Sequence, residues 1–84
     1  MKEIKEALKE NKLIIGTRRV MKFLKNKKLR MIFYASNCPE NVKKDLEYYS
    51  KISDTAVKSF EGNSKQLGEL CGKPFTILMV GVKN

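Results

Sequence analysis

The sequence predicts an α/β fold, a three-layer α/β/α sandwich with elements in the order α-β-α-β-α-β-α-β. Three observations predict it. Segments with apolar residues at helical spacing alternate with short apolar runs, and only a few residues separate them. Such alternation covers a sheet with helices on both faces. The first apolar run, Leu13-Ile14-Ile15, has no polar alternation, as expected of a strand buried on both faces. An apolar content of 42% in 84 residues is enough for one modest core, so residues 1–84 are expected to form one domain.

Each element has its own local reason. Residues 2–10 suit an amphipathic helix in which Ile4, Ala7 and Leu8 share a face, and Lys12 ends it. After the first strand, helix two is expected from about Arg18 to Asn26. Val20, Met21, Phe23 and Leu24 point inward, and Arg18, Lys22 and Lys25 fall along one outer line. Leu29 to Ala35 is the second strand. Ser36-Asn37-Cys38-Pro39-Glu40 reads as a turn into helix three: Asn37 can cap, Glu40 stands three residues on, and Pro39 suits the first turn. Val42, Leu46, Tyr49 and Ile52 form its apolar stripe, which Ser53-Asp54 breaks. Thr55 to Phe60 is a third strand, and Glu61-Gly62 turns the chain. Asn63 with Gln66 is a second capping-box pattern, opening a short helix to Leu70. Gly72 and then Pro74 follow where a helix stops. Phe75 to Val82 is the last strand and the most apolar.

The distribution of charge is informative. The net charge is +9. Residues 1–30 hold eleven Lys/Arg against three Glu, a net of +8, and residues 31–84 hold seven against six, a net of +1. A diffuse solubility feature would spread the excess. Its concentration in the first third points to a polyanion or an acidic membrane surface.

Much chemistry is excluded. The chain has no histidine, so Ser-His-Asp, Cys-His and His-metal sites are impossible. Cys38 and Cys71 are isolated, with no further ligands for a metal and no evident base for a catalytic thiol. They read as structural thiols, and a disulfide between them under oxidation stays open. No Walker or dinucleotide glycine pattern occurs. No enzyme activity, metal or cofactor is expected. No run approaches the ~20 apolar residues needed to span a bilayer, and the N-terminus lacks an apolar signal core. An intracellular, cytoplasmic protein is expected, and its two cysteines fit that compartment.

Three loops remain with complementary features. In the first, Gly16 allows close backbone approach, Thr17 can cap, and Arg18, Arg19 and Lys22 can contact phosphates or guanine edges. The second, Ser36-Asn37-Cys38-Pro39, is polar and rigid. The third, Gly72-Lys73-Pro74-Phe75, sets a cation beside an apolar edge; Phe75 either stacks on an unpaired base or starts a strand in the core. Loops after the first two strands emerge at one end of the sheet. The third joins them only if the last strand runs antiparallel to the others.

Gly16-Thr17-Arg18-Arg19, Ala35-Ser36-Asn37-Cys38-Pro39, Leu46-Glu47-Tyr48-Tyr49, Phe60-Glu61-Gly62-Asn63-Ser64, Leu67-Gly68-Glu69-Leu70 and Cys71-Gly72-Lys73-Pro74-Phe75, taken in order, resemble the "L-thirty-e" family of archaeal and eukaryotic large-subunit ribosomal proteins, a branch of the "L-seven-Ae" superfamily of kink-turn RNA binders. The resemblance covers essentially the whole chain. It implies a mixed four-stranded sheet and binding to an RNA internal loop with a sharp kink and tandem sheared G·A pairs. By position, Gly16 to Arg19 and Lys22 would meet the G·A pairs and adjoining phosphates. Asn37 and its neighbours would lie at a second contact loop, and Gly72 to Phe75 would cover an extruded nucleotide. Many superfamily relatives carry Asn-Glu where this chain has Arg18-Arg19; the basic version is closer to the "L-thirty-e" branch. Many relatives also run on past the last strand, so any contact made by that extension is expected to be missing after Asn84.

The expected role is a structural rRNA-binding protein of the large ribosomal subunit, partnered by other ribosomal components and monomeric when free. The alternatives are a kink-turn protein of a small guide-RNA or regulatory RNA particle, a small thiol enzyme using Cys38 or Cys71, and an acidic-membrane binder. The last is disfavoured because the apolar face of helix two is needed for the core.

Overall fold

The computed structural model describes residues 2–84, and side chains from Glu3 onward. Its elements are α1 (Lys2–Lys9), β1 (Leu13–Ile15), α2 (Thr17–Lys25), β2 (Leu29–Tyr34), α3 (Glu40–Ser53), β3 (Ala56–Ser59), α4 (Ser64–Leu70) and β4 (Met79–Lys83). The strands form one sheet in the order β1-β4-β2-β3. β4 runs antiparallel to both β1 and β2, while β2 and β3 are parallel. The sheet is mixed, as the resemblance implied.

Two cores flank it. On one face Ile4 and Ala7 of α1 and Leu67 of α4 pack with Phe33, Val80 and Val82. On the other, Val20 and Leu24 of α2 and Leu46 of α3 meet Ile14, Ile32 and Met79. The pleat explains the division, since successive side chains of β4 point to opposite faces. β1 shows why its sequence lacks polar alternation: Ile14 serves one core while Leu13 and Ile15 pack against the other. Between the pairs Leu29↔Lys83 and Met31↔Val82, β2 carries one extra residue, a bulge at Arg30. It turns Leu29 onto the α2–α3 side, over Gly81, where an added Cβ would lie 2.8 Å from a Leu29 methyl.

Several local expectations need correction. Ile52 is not part of the inner stripe of α3; it is 56% exposed. The inward line instead runs through Leu46, Ser50 and Ser53, and the Ser53 hydroxyl donates to the Leu24 carbonyl at 2.9 Å. Helical geometry sets this: at about 100° per residue, Tyr49, Ser50 and Ser53 fall within about 60° of Leu46, whereas position 52 lies about 120° away. Asn37 does not cap α3, which starts after Pro39 without a side-chain cap. Thr17 does not cap α2 either; it is the first helical residue, behind Gly16. The third strand is trimmed to Ala56–Ser59.

The last strand starts at Met79 rather than Phe75. Residues 75–78 form a loop, with Ile77 buried, that is held by backbone bonds to distant parts of the chain. The Ile77 N–H donates to the Ser64 carbonyl at 3.0 Å, and the Leu78 carbonyl accepts from the Ala35 N–H at 2.7 Å. An apolar run cannot be told from a buried loop by composition when tertiary bonds replace the ladder. The capping box of α4 is present as expected, with Asn63 and Gln66 exchanging two bonds of 2.9 Å each. Among the described residues, no helix is long and apolar enough to cross a membrane.

Candidate nucleic-acid interface

Strand direction gathers the loops. β1 and β2 both oppose β4, so they run parallel to each other, and β3 runs with β2. The C-terminal ends of β1, β2 and β3 therefore share one end of the sheet with the N-terminal end of β4. Ile15 pairs with Val80 and Tyr34 with Met79, so the first and second loops leave on either side of the chain entering β4. The three loops singled out in the sequence meet at this end, joined by the turn between β3 and α4.

In the first loop, Gly16 has φ +105°, a backbone that L side chains avoid, and open space lies where a Cβ would be. Glycine is needed here for the sharp strand-to-helix turn. No side chain caps α2 behind it, so its leading N–H groups keep their capacity to bind an anion. Thr17 is half-buried, whereas Arg18, Arg19 and Lys22 are exposed. Arg18 and Lys22 border a groove between α2 and α3 completed by Asp45, Tyr49 and Lys25, and the Lys25 Nζ lies 4.8 Å from the Tyr49 ring centroid.

In the second loop Ser36 and Pro39 are exposed and Cys38 packs against the α2–α3 core. Asn37 is the structural member. Its Oδ1 accepts from the Ser64 N–H at 2.9 Å and its Nδ2 donates to the Ser64 hydroxyl at 3.0 Å. The Ser36 N–H also donates to the Gly62 carbonyl at 2.8 Å. Ser64 in turn holds Ile77, two residues past the third loop, so one residue at the start of α4 ties the second loop to the segment that follows the third. Asn37→Ala is expected to cost about 1–3 kcal/mol, because it strands the Ser64 N–H at a largely buried site. Asn37→Asp keeps an acceptor for that N–H at a helix N-terminus and should retain most of the stability. Urea denaturation of both variants checks this; an Asp variant as weak as the Ala variant would refute it.

In the third loop, Gly72 takes φ +71° directly after α4. Lys73 and Pro74 are exposed, and Phe75 is 56% exposed. The core alternative for Phe75 is thereby overturned, because the strand begins four residues later. The Phe75 carbonyl lies so close over Gly68 that a Cβ there would overlap it. Lys65 and Glu69 of α4 form a cleft with this loop.

The named cations at this end are not ion-paired. Among the described residues the single ion pair joins Lys12 to Glu10 at 3.6 Å, so Arg18, Arg19, Lys22 and Lys73 have no carboxylate within 4.0 Å. The thiols show no activation. Burial pushes both Cys38 and Cys71 up from the ordinary thiol range, outweighing Lys43 and Lys73, which pull them down. Both are free, and they pack on opposite faces of the sheet. No group of three potential ligands is placed to hold a metal among the described residues.

The sequence reading missed Ser64 as a brace, although the capping box had located the start of α4. It also passed over Lys43, whose Nζ lies 5.2 Å from the Tyr34 ring centroid at the end of β2. Only the packing of α3 on the sheet brings that pair together.

A mixed sheet with two helices on each face, and a cluster of loops with unpaired cations at one end, defines a class: a small α/β/α sandwich that presents positive charge from its loops. The model of the Ribosomal protein L7Ae/L30e/S12e/Gadd45 family matches residues 1–84, and the chain belongs to that family. It is 43% identical over 74 residues to large ribosomal subunit protein eL30 of Methanothermobacter thermautotrophicus, covering 88% of this chain and 76% of that one. It is 38% identical over 80 residues to the eL30 protein of Saccharolobus solfataricus, covering 95% and 74%. A protein with unknown function from Bacillus halodurans superimposes with a TM-score of 0.87 at 26% identity, over 98% of this chain and 81% of that one. The Giardia lamblia 15.5kD RNA binding protein shares the fold, with a TM-score of 0.81 at 12% identity over 98% and 68%.

Proposed function

We propose that the chain is a structural RNA-binding protein of the large ribosomal subunit that grips a kink-turn internal loop of rRNA. The observation that carries this reading is the antiparallel placement of β4 against β1 and β2, which brings three loops, the first and third carrying unpaired cations, to one end of the sheet. Gly16 and Thr17 give an RNA strand close access to the uncapped start of α2. Arg18, Arg19 and Lys22 neutralise phosphates or read guanine edges. Ser36 to Pro39 form the facing wall, with Asn37 holding it in place. Gly72 to Pro74 set Phe75 as an exposed platform for an unstacked base.

Relatives named as large-subunit ribosomal proteins at 43% and 38% identity favour a ribosomal role over a guide-RNA particle. The protein then acts among rRNA and other ribosomal components in the cytoplasm, as a monomer before assembly, and has no catalytic task. Affinity comes mainly from phosphate neutralisation and falls steeply with salt. Specificity comes from loop shape and unpaired bases. A gel shift against a kink-turn RNA and a straight duplex of equal length tests the reading. The kink-turn RNA is expected to bind at least tenfold more tightly, and equal binding would overturn the proposal.

A further inference from the structure

The opposite end of the sheet carries a second cationic surface. There the turn between α2 and β2 lies beside the end of β4. The Asn84 N–H donates to the Lys28 carbonyl at 3.2 Å, and the Asn84 side-chain amide donates to the Lys27 carbonyl at 3.4 Å. These bonds set Lys27, Lys28 and Lys83 around the half-buried ring of Phe23, with the Lys83 Nζ 5.7 Å from the ring centroid. No acidic side chain lines this concavity among the described residues. The adjacent cleft is different, since Glu3, Glu6 and Glu10 stand there with Lys12 and Arg30. Side-chain charge is balanced on one side of Lys83 and unbalanced on the other.

Helix capping does not account for these lysines. α2 closes with Lys27 N–H to Leu24 carbonyl and Lys28 N–H to Phe23 carbonyl bonds, both 3.0 Å. That closure puts the residue after the helix at positive φ, where glycine is preferred. Lys27 occupies it at φ +56°. Lys22 and Lys25 already supply the cations that suit the last turn. The chain thus holds a lysine against the local backbone preference, beside two more lysines and an aromatic ring.

We infer that Lys27, Lys28 and Lys83 bind the sugar–phosphate backbone of a second RNA segment, so that the chain bridges two RNA segments, one at each end of its sheet. Three cations suit successive phosphates, and the Phe23 ring between them suits a ribose face. The six residues of β2 separate the two ends by about 20 Å, so a minimal RNA held by the three loops leaves this surface open. The choice of RNA as partner rests on the proposed function.

The test uses the full chain saturated with a minimal kink-turn RNA, to which a labelled straight RNA duplex of about 16 base pairs is added and followed by fluorescence anisotropy. The unaltered complex should bind the duplex. Combined Lys27→Gln, Lys28→Gln and Lys83→Gln should weaken duplex binding roughly tenfold or more and lower its salt slope by about 2–3, with kink-turn affinity within twofold. Lys27→Gly alone should weaken the duplex while keeping or raising the thermal midpoint, which separates charge from folding. A complex that binds no duplex, a triple variant that binds it unchanged, or a parallel loss of kink-turn affinity would each overturn the inference. If the unaltered chain shows no kink-turn preference, the three-loop reading fails, and the duplex titration repeated on the free chain still judges the lysines.

Discussion

Arg18→Ala combined with Lys22→Ala is expected to weaken binding of a kink-turn RNA by about two orders of magnitude or more. Each side chain that holds a phosphate or base edge is worth roughly 1–3 kcal/mol. The two stand four residues apart on α2 and border the same groove. Both are exposed and have no carboxylate within 4.0 Å, so no internal partner is lost with them. Folding stability should therefore stay within about 0.5 kcal/mol of the parent. The salt dependence supplies an independent check, because removing two phosphate contacts should lower the slope of log affinity against log salt by about 2. An unchanged slope would mean that these cations do not touch the backbone, whatever happens to the affinity.

The second large effect comes from a residue that touches no RNA in the proposed complex. Gly68→Ala would help an isolated helix by up to about 1 kcal/mol. In this fold the added Cβ overlaps the Phe75 carbonyl oxygen, and the Phe75 carbonyl carbon would be only 3.2 Å away. Both are backbone atoms, so no side-chain rotation relieves the clash. Either α4 shifts out of its core or the third loop lifts from α4. We expect a net loss of about 1–3 kcal/mol in urea denaturation. Binding of the kink-turn RNA should drop about tenfold at temperatures where the variant stays folded, because Lys73 and Phe75 move with the loop. A variant that is as stable as the parent and binds fully would show that the close approach is dispensable.

These two predictions sit on different levels of what the sequence reveals. The basic line of Arg18, Lys22 and Lys25 follows from helical spacing alone, and so does the inward placement of Val20 and Leu24. The glycine at position 16 and the capping box at Asn63 mark helix starts because backbone N–H groups there need particular local chemistry. Such features depend on neighbours within about four residues, so one chain suffices to read them. Gly68 is different. Nothing near it in sequence says that a loop carbonyl will lie over it.

Two of the misread elements fail for the same reason. Asn37 has the chemistry of a cap, and its preferred partner turned out to be Ser64, 27 positions away. Phe75 to Leu78 have the composition of a strand, yet their backbone is bonded to Ser64 and Ala35 rather than to a ladder. In both cases a long-range hydrogen bond decided between local options. Ile52 differs: it has the right apolar character, but the helical phase set by Leu46 turns it outward and brings Ser53 to the Leu24 carbonyl.

By itself, then, the sequence determined the element order, the positively charged first third, the absence of histidine chemistry and the three candidate loops, because composition and short-range periodicity carry all of these. Only the tertiary structure decided that β4 runs antiparallel to β1 and β2. Strand direction is set by how the connecting loop and two helical layers pack, not by any residue in the strand. That one choice converts three separate loops into a single surface, and it leaves Lys27, Lys28 and Lys83 together at the far end of the same sheet.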